Sequence, residues 1–209
     1  MTSEIRDIRL NSLKRDKLIL ERCIKMLTKR DLISEKDLNI NQKLAVDSYD
    51  EINHLCTFNN GKFDCKIKII SEKVTTINKI NGLYQLLDTN QETLLIIIVH
   101  DIQLKPFKEI VDFPNSEVFW IHEFIIDPIE HYLTPEHRKL ENEEKERLII
   151  EYKTKMKDIP RMDKTDFVVR YYNFKVGDYI EIKRKSISSG IAIAYRIVVN
   201  CSLDKLFAK

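Results

Sequence analysis

The sequence predicts an α/β domain over residues 1–128 joined to an α+β module with a small sheet. Three observations carry this. The first 128 residues run strand, helix, buried strand, helix, strand, the pattern of a small three-layer domain and about half of a doubly wound sheet. Pro128 and Pro135 then bracket a change of style, after which the chain turns highly charged. The charge divides at the same place: residues 1–130 hold 18 basic and 21 acidic groups, whereas residues 131–209 hold 17 and 12.

Each element has its own signal. Residues 3–30 read as one long helix, because Ile5, Ile8, Leu13, Leu20, Ile24 and Leu27 recur at helical spacing with basic residues between them. Ser34 is the expected N-cap of a short helix, with Asp37 at its third position. Asn59-Asn60-Gly61 signals a hairpin turn, and Phe63, Cys65, Ile67 and Ile69 then alternate with polar residues as in a half-buried strand. Residues 74–87 are expected to be helical despite Gly82. Residues 93–99 are apolar and β-branched, as suits a strand covered on both faces. A short helix over 105–111 and a strand over 118–121 complete the first part.

In the second part, residues 129–134 form a linker. Asn142 is the expected N-cap of a helix running to about Lys153, with Glu143 and Glu144 in its first turn. Ile159-Pro160-Arg161 breaks the chain. Thr165 or Asp166 then caps a helix through Tyr172, and Asn173 suits the left-handed position after it. Strands over 179–184 and 191–199 are joined by the turn Ser188-Ser189-Gly190.

Composition narrows the function. The chain is 43% hydrophobic with a net charge of +2, which argues against general disorder and against a polybasic nucleic-acid binder. Four glycines leave little room for a phosphate loop, and G-x-G-x-x-G, Walker A, H-E-x-x-H and G-x-S-x-G motifs are absent. Cys23, Cys56, Cys65 and Cys201 lack zinc spacing and read as buried free thiols in a reducing compartment. His54, His100, His122, His131 and His137 lack metal spacing too, so neither metal nor cofactor is expected. The chain opens without an apolar signal core and has no apolar run of bilayer length, so a soluble intracellular protein is expected.

One constellation suggests catalysis. Asp50 and Glu51 precede the hairpin, and Asp64-Cys65-Lys66 lies on its second strand, as in metal-dependent restriction-like nucleases. Asp64 and Lys66 fit the wet face of an alternating strand equally well. In the last third, Arg161, Lys164, Arg170, Lys175, Lys183, Arg184, Lys185 and Arg196 interleave with Tyr171, Tyr172, Tyr179 and Tyr195. Asp163, Asp166, Asp178 and Glu181 share the stretch, and this mixing of signs favours protein docking over a phosphate track.

His131-Tyr132-Leu133-Thr134-Pro135-Glu136-His137-Arg138-Lys139-Leu140 resembles the H-x-L-x-P-x-H-x-x-L opening of a known module. Ile159-Pro160-Arg161, Thr165 to Tyr172, Gly177 to Ser186, and Gly190 with Tyr195-Arg196-Ile197-Val198 follow in collinear order. The segment resembles the C-terminal assembly domain of the fifth-largest subunit shared by eukaryotic nuclear RNA polymerases. The corresponding small subunit of archaeal polymerases consists of this module alone. Departures are Phe167 for the usual proline after Asp166, Asn173 for the usual glycine, and Ile191-Ala192 after Gly190 where Arg-Tyr is usual. Residues 200–209 continue past the family's usual end as a tail.

The resemblance implies a non-catalytic subunit of a multisubunit DNA-directed RNA polymerase, without catalytic residues, metal or cofactor. Residues 1–128 would be a jaw domain beside downstream DNA, and 135–209 the assembly domain docked on the largest subunit among neighbouring small subunits. The expected docking residues are Arg161, Asp166, Arg170, Tyr171, Arg184, Ser186, Gly190, Tyr195 and Arg196. The loop after the jaw's central strand, residues 101–108 with Lys105, Pro106 and Lys108, would approach the duplex non-specifically. The protein would be nuclear if cellular, or in the virion or host cytoplasm if encoded by a large DNA virus. The alternatives are a restriction-like nuclease and a free DNA-binding transcription regulator.

Overall fold

The computed structural model describes residues 11–152, 158–186 and 190–200. The chain divides into two compact units, Met1–Asp127 and Pro128–Lys209, each with mixed α/β content and its own sheet.

In the first unit, helix α1 (Ser12–Lys29) is capped by Asn11, whose Oδ1 accepts from the Lys14 N–H at 3.1 Å. Asn11 is extended, so the expected continuous helix from residue 3 does not pass through it, and residues 3–10 lie outside the described residues. The apolar stripe of α1 is buried at Ile19, Leu20, Cys23, Ile24 and Leu27. A 3-10 turn (Glu35–Asp37) then leads into α2 (Leu38–Asp47), and Ser34 makes no side-chain capping bond.

The sheet order is β1 (Tyr49–Asp50), β2 (Leu55–Asn59), β3 (Asp64–Val74), β4 (Leu94–Ile102), β5 (Ser116–Trp120). The Asn59-Asn60-Gly61 turn forms as expected: Asn59 pairs with Asp64, and Gly61 takes φ +80°. The β1–β2–β3 half is antiparallel and the β3–β4–β5 half parallel. The sheet is therefore mixed rather than half of an all-parallel one, because the hairpin adds its strands to the edge of two crossover units. Leu95 to Val99 are buried, as the apolar run requires.

The helix expected over 74–87 forms only in its last part. β3 runs on to Val74, a 3-10 turn follows at Ile77–Lys79, and α3 (Leu83–Thr89) begins only after Gly82, whose φ of +72° interrupts a right-handed helix. Helix α4 (Leu104–Val111) matches its expected position. The expected strand over 118–121 ends at Trp120, because α5 (Ile121–Ile126) starts there and Glu123 accepts from the Trp120 N–H at 2.9 Å.

In the second unit the sheet order is β6 (Glu136–Lys139), β8 (Tyr179–Ser186), β9 (Gly190–Val199), β7 (Arg161–Asp163). Strands β6 and β7 fall where the sequence suggests charged coil and a chain break. Helix α6 (Asn142–Tyr152) begins at Asn142 itself, and Glu144 accepts from the Glu141 N–H at 2.9 Å, so the cap sits one residue earlier than expected. Helix α7 (Phe167–Tyr172) is capped as expected: Asp166 Oδ1 accepts from Val168 N–H at 2.9 Å, and Asn173 takes φ +55°. The two faces of the sheet hold separate cores. Leu148 of α6 clusters with Leu140, Ile159, Tyr179 and Ile197 on one face. Val169 of α7 clusters with Met162, Ile180, Ile182 and Val198 on the other. Residues 187–189 of the expected turn and 201–209 of the tail lie outside the described residues.

Candidate partner-docking surface

Strand register distributes the expected docking residues over the second unit. Directly opposed residues share a face of a sheet. Ile182 opposes His137 and Ala194, Ile180 opposes Lys139 and Arg196, Arg184 opposes Ala192, and Ser186 opposes Gly190. Arg184, Ser186, Gly190 and Arg196 therefore lie on the α7 face, where Asp166 begins the helix. Tyr195 opposes Glu181 and packs beside the α6-side core, and Arg161 opposes Ile197 on that face.

Tyr171 is only 3% exposed and packs edge-on to Tyr172 at 5.3 Å, so its ring supports the module from within rather than offering an anchor. Arg170 is half-buried; its Nε donates to Thr165 O at 3.2 Å and its guanidinium lies 5.8 Å from the Phe167 ring centre, which ties it to the start of α7. Gly190 takes φ +72° at the hairpin with open space around a would-be Cβ, so its demand is conformational and not steric.

On the α6 face Arg138, Glu144 and Glu181 satisfy one another. Arg138 makes paired bonds of 2.9 and 3.0 Å to Glu144 and reaches Glu181 at 3.4 Å. The Glu144 carboxyl is held below its ordinary range by the hydrogen bond from Arg138 and by the Glu141 N–H. The α7 face differs: among the described residues, Arg184 and Arg196 enter no ion pair. His137 Nδ1 donates to the Pro135 carbonyl at 2.8 Å, and burial lowers its pKa. The sequence singles out His137 in the H-x-L-x-P-x-H-x-x-L motif but gives it no docking role. The signal that finds it is the alternation Ile180, Ile182, Arg184, which fixes the face and, by register, places His137 on it.

In the first unit, the segment expected to be a DNA-facing loop is the end of β4 followed directly by α4. Lys105 and Lys108 are exposed on α4, but Pro106 is buried at the third helical position, where its missing N–H needs no partner. Phe107 beside it stacks on Trp120 at 5.7 Å.

The nuclease constellation does not converge. Asp50 opposes Leu55, which opposes Lys68, four residues along β3 from Asp64, so strand spacing puts the Cα atoms of Asp50 and Asp64 about 16 Å apart. Asp50 spends its oxygens on Ile52 N–H at 2.9 Å and Asn53 Nδ2 at 2.7 Å, and Lys66 Nζ donates to Asn90 Oδ1 at 2.6 Å. Among the described residues there is no cluster of three His, Cys, Asp or Glu side chains able to hold a metal ion. Among the same residues no helix is long and apolar enough to cross a membrane.

Comparison with known proteins gives this geometry its context. The family model "RNA polymerase Rpb5, C-terminal domain" matches residues 126–198, which fall almost wholly within the second unit. The chain is 40% identical over 72 residues to DNA-directed RNA polymerase subunit Rpo5 of Methanosphaera stadtmanae, covering 34% of this chain and 94% of that one. It is 31% identical over 133 residues to DNA-directed RNA polymerase subunit 5 of Acanthamoeba polyphaga mimivirus, covering 64% of each. Arabidopsis thaliana DNA-directed RNA polymerase V subunit 5A is 27% identical over 139 residues, covering 64% of this chain and 62% of that one. The chain thus spans less than two thirds of the viral and plant relatives, but nearly all of the archaeal one.

Proposed function

Because the chain belongs to the subunit 5 family of DNA-directed RNA polymerases, we propose that it serves as a non-catalytic subunit that docks through its second unit on the largest polymerase subunit. The observation carrying this reading is that the matched segment, residues 126–198, coincides with a unit in which, among the described residues, Arg161, Arg184 and Arg196 enter no ion pair, whereas Arg138 is already paired with Glu144 and Glu181. Arg161, Arg184 and Arg196 supply exposed or half-exposed cations for docking. Asp166 and Gly190 shape the helix start and the hairpin, and Tyr171 holds the core behind them.

The first unit acts as the jaw, and the second is the assembly domain. Exposed Lys105 and Lys108 on α4 meet downstream DNA through phosphate contacts that carry no sequence information, which suits a polymerase that must slide. The chain works inside a hetero-oligomer with the neighbouring small subunits, in the nucleus of a cell or in the virion or host cytoplasm of a large DNA virus.

Affinity purification of the full chain tests this. Stoichiometric polymerase subunits are expected with the wild type and lost with Arg161→Glu combined with Arg184→Glu, at unchanged circular dichroism. Recovery of the wild type alone would leave the free-regulator reading in its place.

A further inference from the structure

We propose that the sheet face carrying Arg184, His137 and Arg196 is a receptor for a carboxylate-bearing segment of a partner polypeptide, and that His137 takes up a solvent proton as the segment docks. The proposal rests on the docking role above and names the chemistry of what is docked.

Register builds the receptor. On the α7 face, the row His137, Ile182, Ala194 lies between the row of Arg184 and Ala192 and the row of Lys139, Ile180 and Arg196. Rows on one face repeat about every 6.8 Å, so both guanidinium groups can reach a group seated at the exposed margin of the α7-side core, between Ala192 and Ala194. Ala192 is exposed and gives that seat a floor without bulk, and Ala194, half-buried against the α7-side core, bounds it. Lys139 is engaged with Asp178 at 2.8 Å, which leaves the two arginines as the cations of the trough.

His137 makes the site proton-sensitive. Its Nδ1 hydrogen is committed to the Pro135 carbonyl at 2.8 Å, so Nε2 is the ring atom left for a ligand. The charged groups facing the ring are Asp166 at the cap of α7, Arg196 on β9 and Arg184 on β8. Burial and the two arginines favour the neutral ring, whereas Asp166 and the Pro135 carbonyl favour the charged one. An incoming carboxylate offsets the arginines and accepts from Nε2–H, so docking raises the His137 pKa and draws in a proton.

The same charges select a protein over a nucleic acid. Asp166 at the edge of the trough repels a polyanionic track, whereas a single carboxylate between the arginines leaves it undisturbed. Arginine also favours carboxylate through its planar pairs of donors.

The test measures binding of a labelled, otherwise uncharged peptide carrying one glutamate, and of a short DNA duplex, to the full chain at pH 6 and pH 8. Binding of the peptide is expected to be about threefold or more tighter at pH 6, as for a histidine protonated on binding. Arg184→Gln with Arg196→Gln should weaken it about tenfold or more, the size expected for lost charge-assisted bonds. His137→Gln should abolish the pH effect, and replacement of both arginines by lysine should restore part of the affinity. Equal peptide binding by the double glutamine variant, a pH effect that survives His137→Gln, or tighter binding of the duplex at the same residues would each overturn the proposal. If polymerase copurifies with the double glutamine variant as with wild type, the subunit role stands and this receptor falls. If the wild type brings down no polymerase, the subunit role itself falls, whatever the peptide does.

Discussion

The phenolic oxygen of Tyr49 lies 2.7 Å from Oδ2 of Asp16, a carboxylate in α1 with no exposed surface. The other oxygen, Oδ1, accepts from Arg15 Nε at 2.9 Å, and Arg15 also donates to Ser71 Oγ at 2.8 Å. The single hydroxyl hydrogen of Tyr49 is used on Asp16, so His54 Nδ1, 2.9 Å away, must be the donor to the tyrosine oxygen. A buried charge is tolerated when its lone pairs are met in this way. Helix α1 is thereby fastened to the edge strand β1 by one side chain.

Tyr49→Phe should therefore destabilise the first unit by about 1–3 kcal/mol, the cost of leaving a buried charged acceptor short of a donor. Trp120 is the only tryptophan and lies in this unit, so urea unfolding followed by its fluorescence reads the loss without interference from the second unit. An unchanged midpoint would mean that Asp16 finds water or another donor.

The same contact sets an alkaline limit. Burial, then the bond to Asp16, pushes the Tyr49 phenol well above its ordinary range. In the unfolded chain the phenol ionises near pH 10, while the folded one stays protonated, so the unfolded state holds fewer protons above that pH. The stabilisation is complete below about pH 10 and lost as pH rises beyond it. Tryptophan-monitored stability should fall more steeply between about pH 9.5 and 11 in the wild type than in Tyr49→Phe.

Arg22 closes the C-terminal end of α5. Its guanidinium donates to the carbonyls of Phe124 and Ile125, the latter at 2.6 Å, and Nε sits 3.7 Å from Asp127. These carbonyls have no partner within the helix, and a cation there also suits the helix dipole. Arg22→Ala should lower stability by about 1–3 kcal/mol, and Arg22→Lys by less, because one ammonium restores charge but not the fork. Denaturant midpoints by tryptophan fluorescence separate the three.

Asn173 holds the left-handed position after α7 at φ +55° and ψ +37°. Glycine adopts this conformation without the Cβ penalty, so Asn173→Gly should stabilise the second unit by up to about 1 kcal/mol. Slower amide exchange in β8 and β9 would register the gain, and faster exchange would show that the asparagine side chain matters more than its backbone.

Elements with a strong local pattern can be read directly from the sequence, and those that exist only through a partner cannot. The apolar run of β4, the Asn-Asn-Gly hairpin and the Asp166 cap are encoded within a few residues, and each stands where expected. Strand β7 is three residues long and owes its existence to pairing with Ile197, Val198 and Val199 across the sheet. Strand β6, Glu136–Lys139, has no apolar alternation: Arg138 pairs with charges on β8 and α6, and Lys139 pairs with Asp178 just before β8. Gly82 looks like a weakness within a helix, whereas its positive φ ends one segment and begins another. The docking surface is legible as a set of residues but not as a surface. Tyr171 and Arg196 are both aromatic or basic positions in the matched stretch, yet packing buries one while register leaves the other half-exposed.

Cys23, Cys56 and Cys65 are all free, buried and confined to the first unit. Burial raises the pKa of each thiol, so none is reactive while that unit is closed. The chain therefore carries an internal clock for breathing of the first unit. With Cys201 replaced by serine, any thiol that reacts with a disulfide reagent reports an opening of the α1–sheet core, whatever the second unit is doing. Assembly onto a partner through the second unit can then be timed against motion of the first within a single molecule.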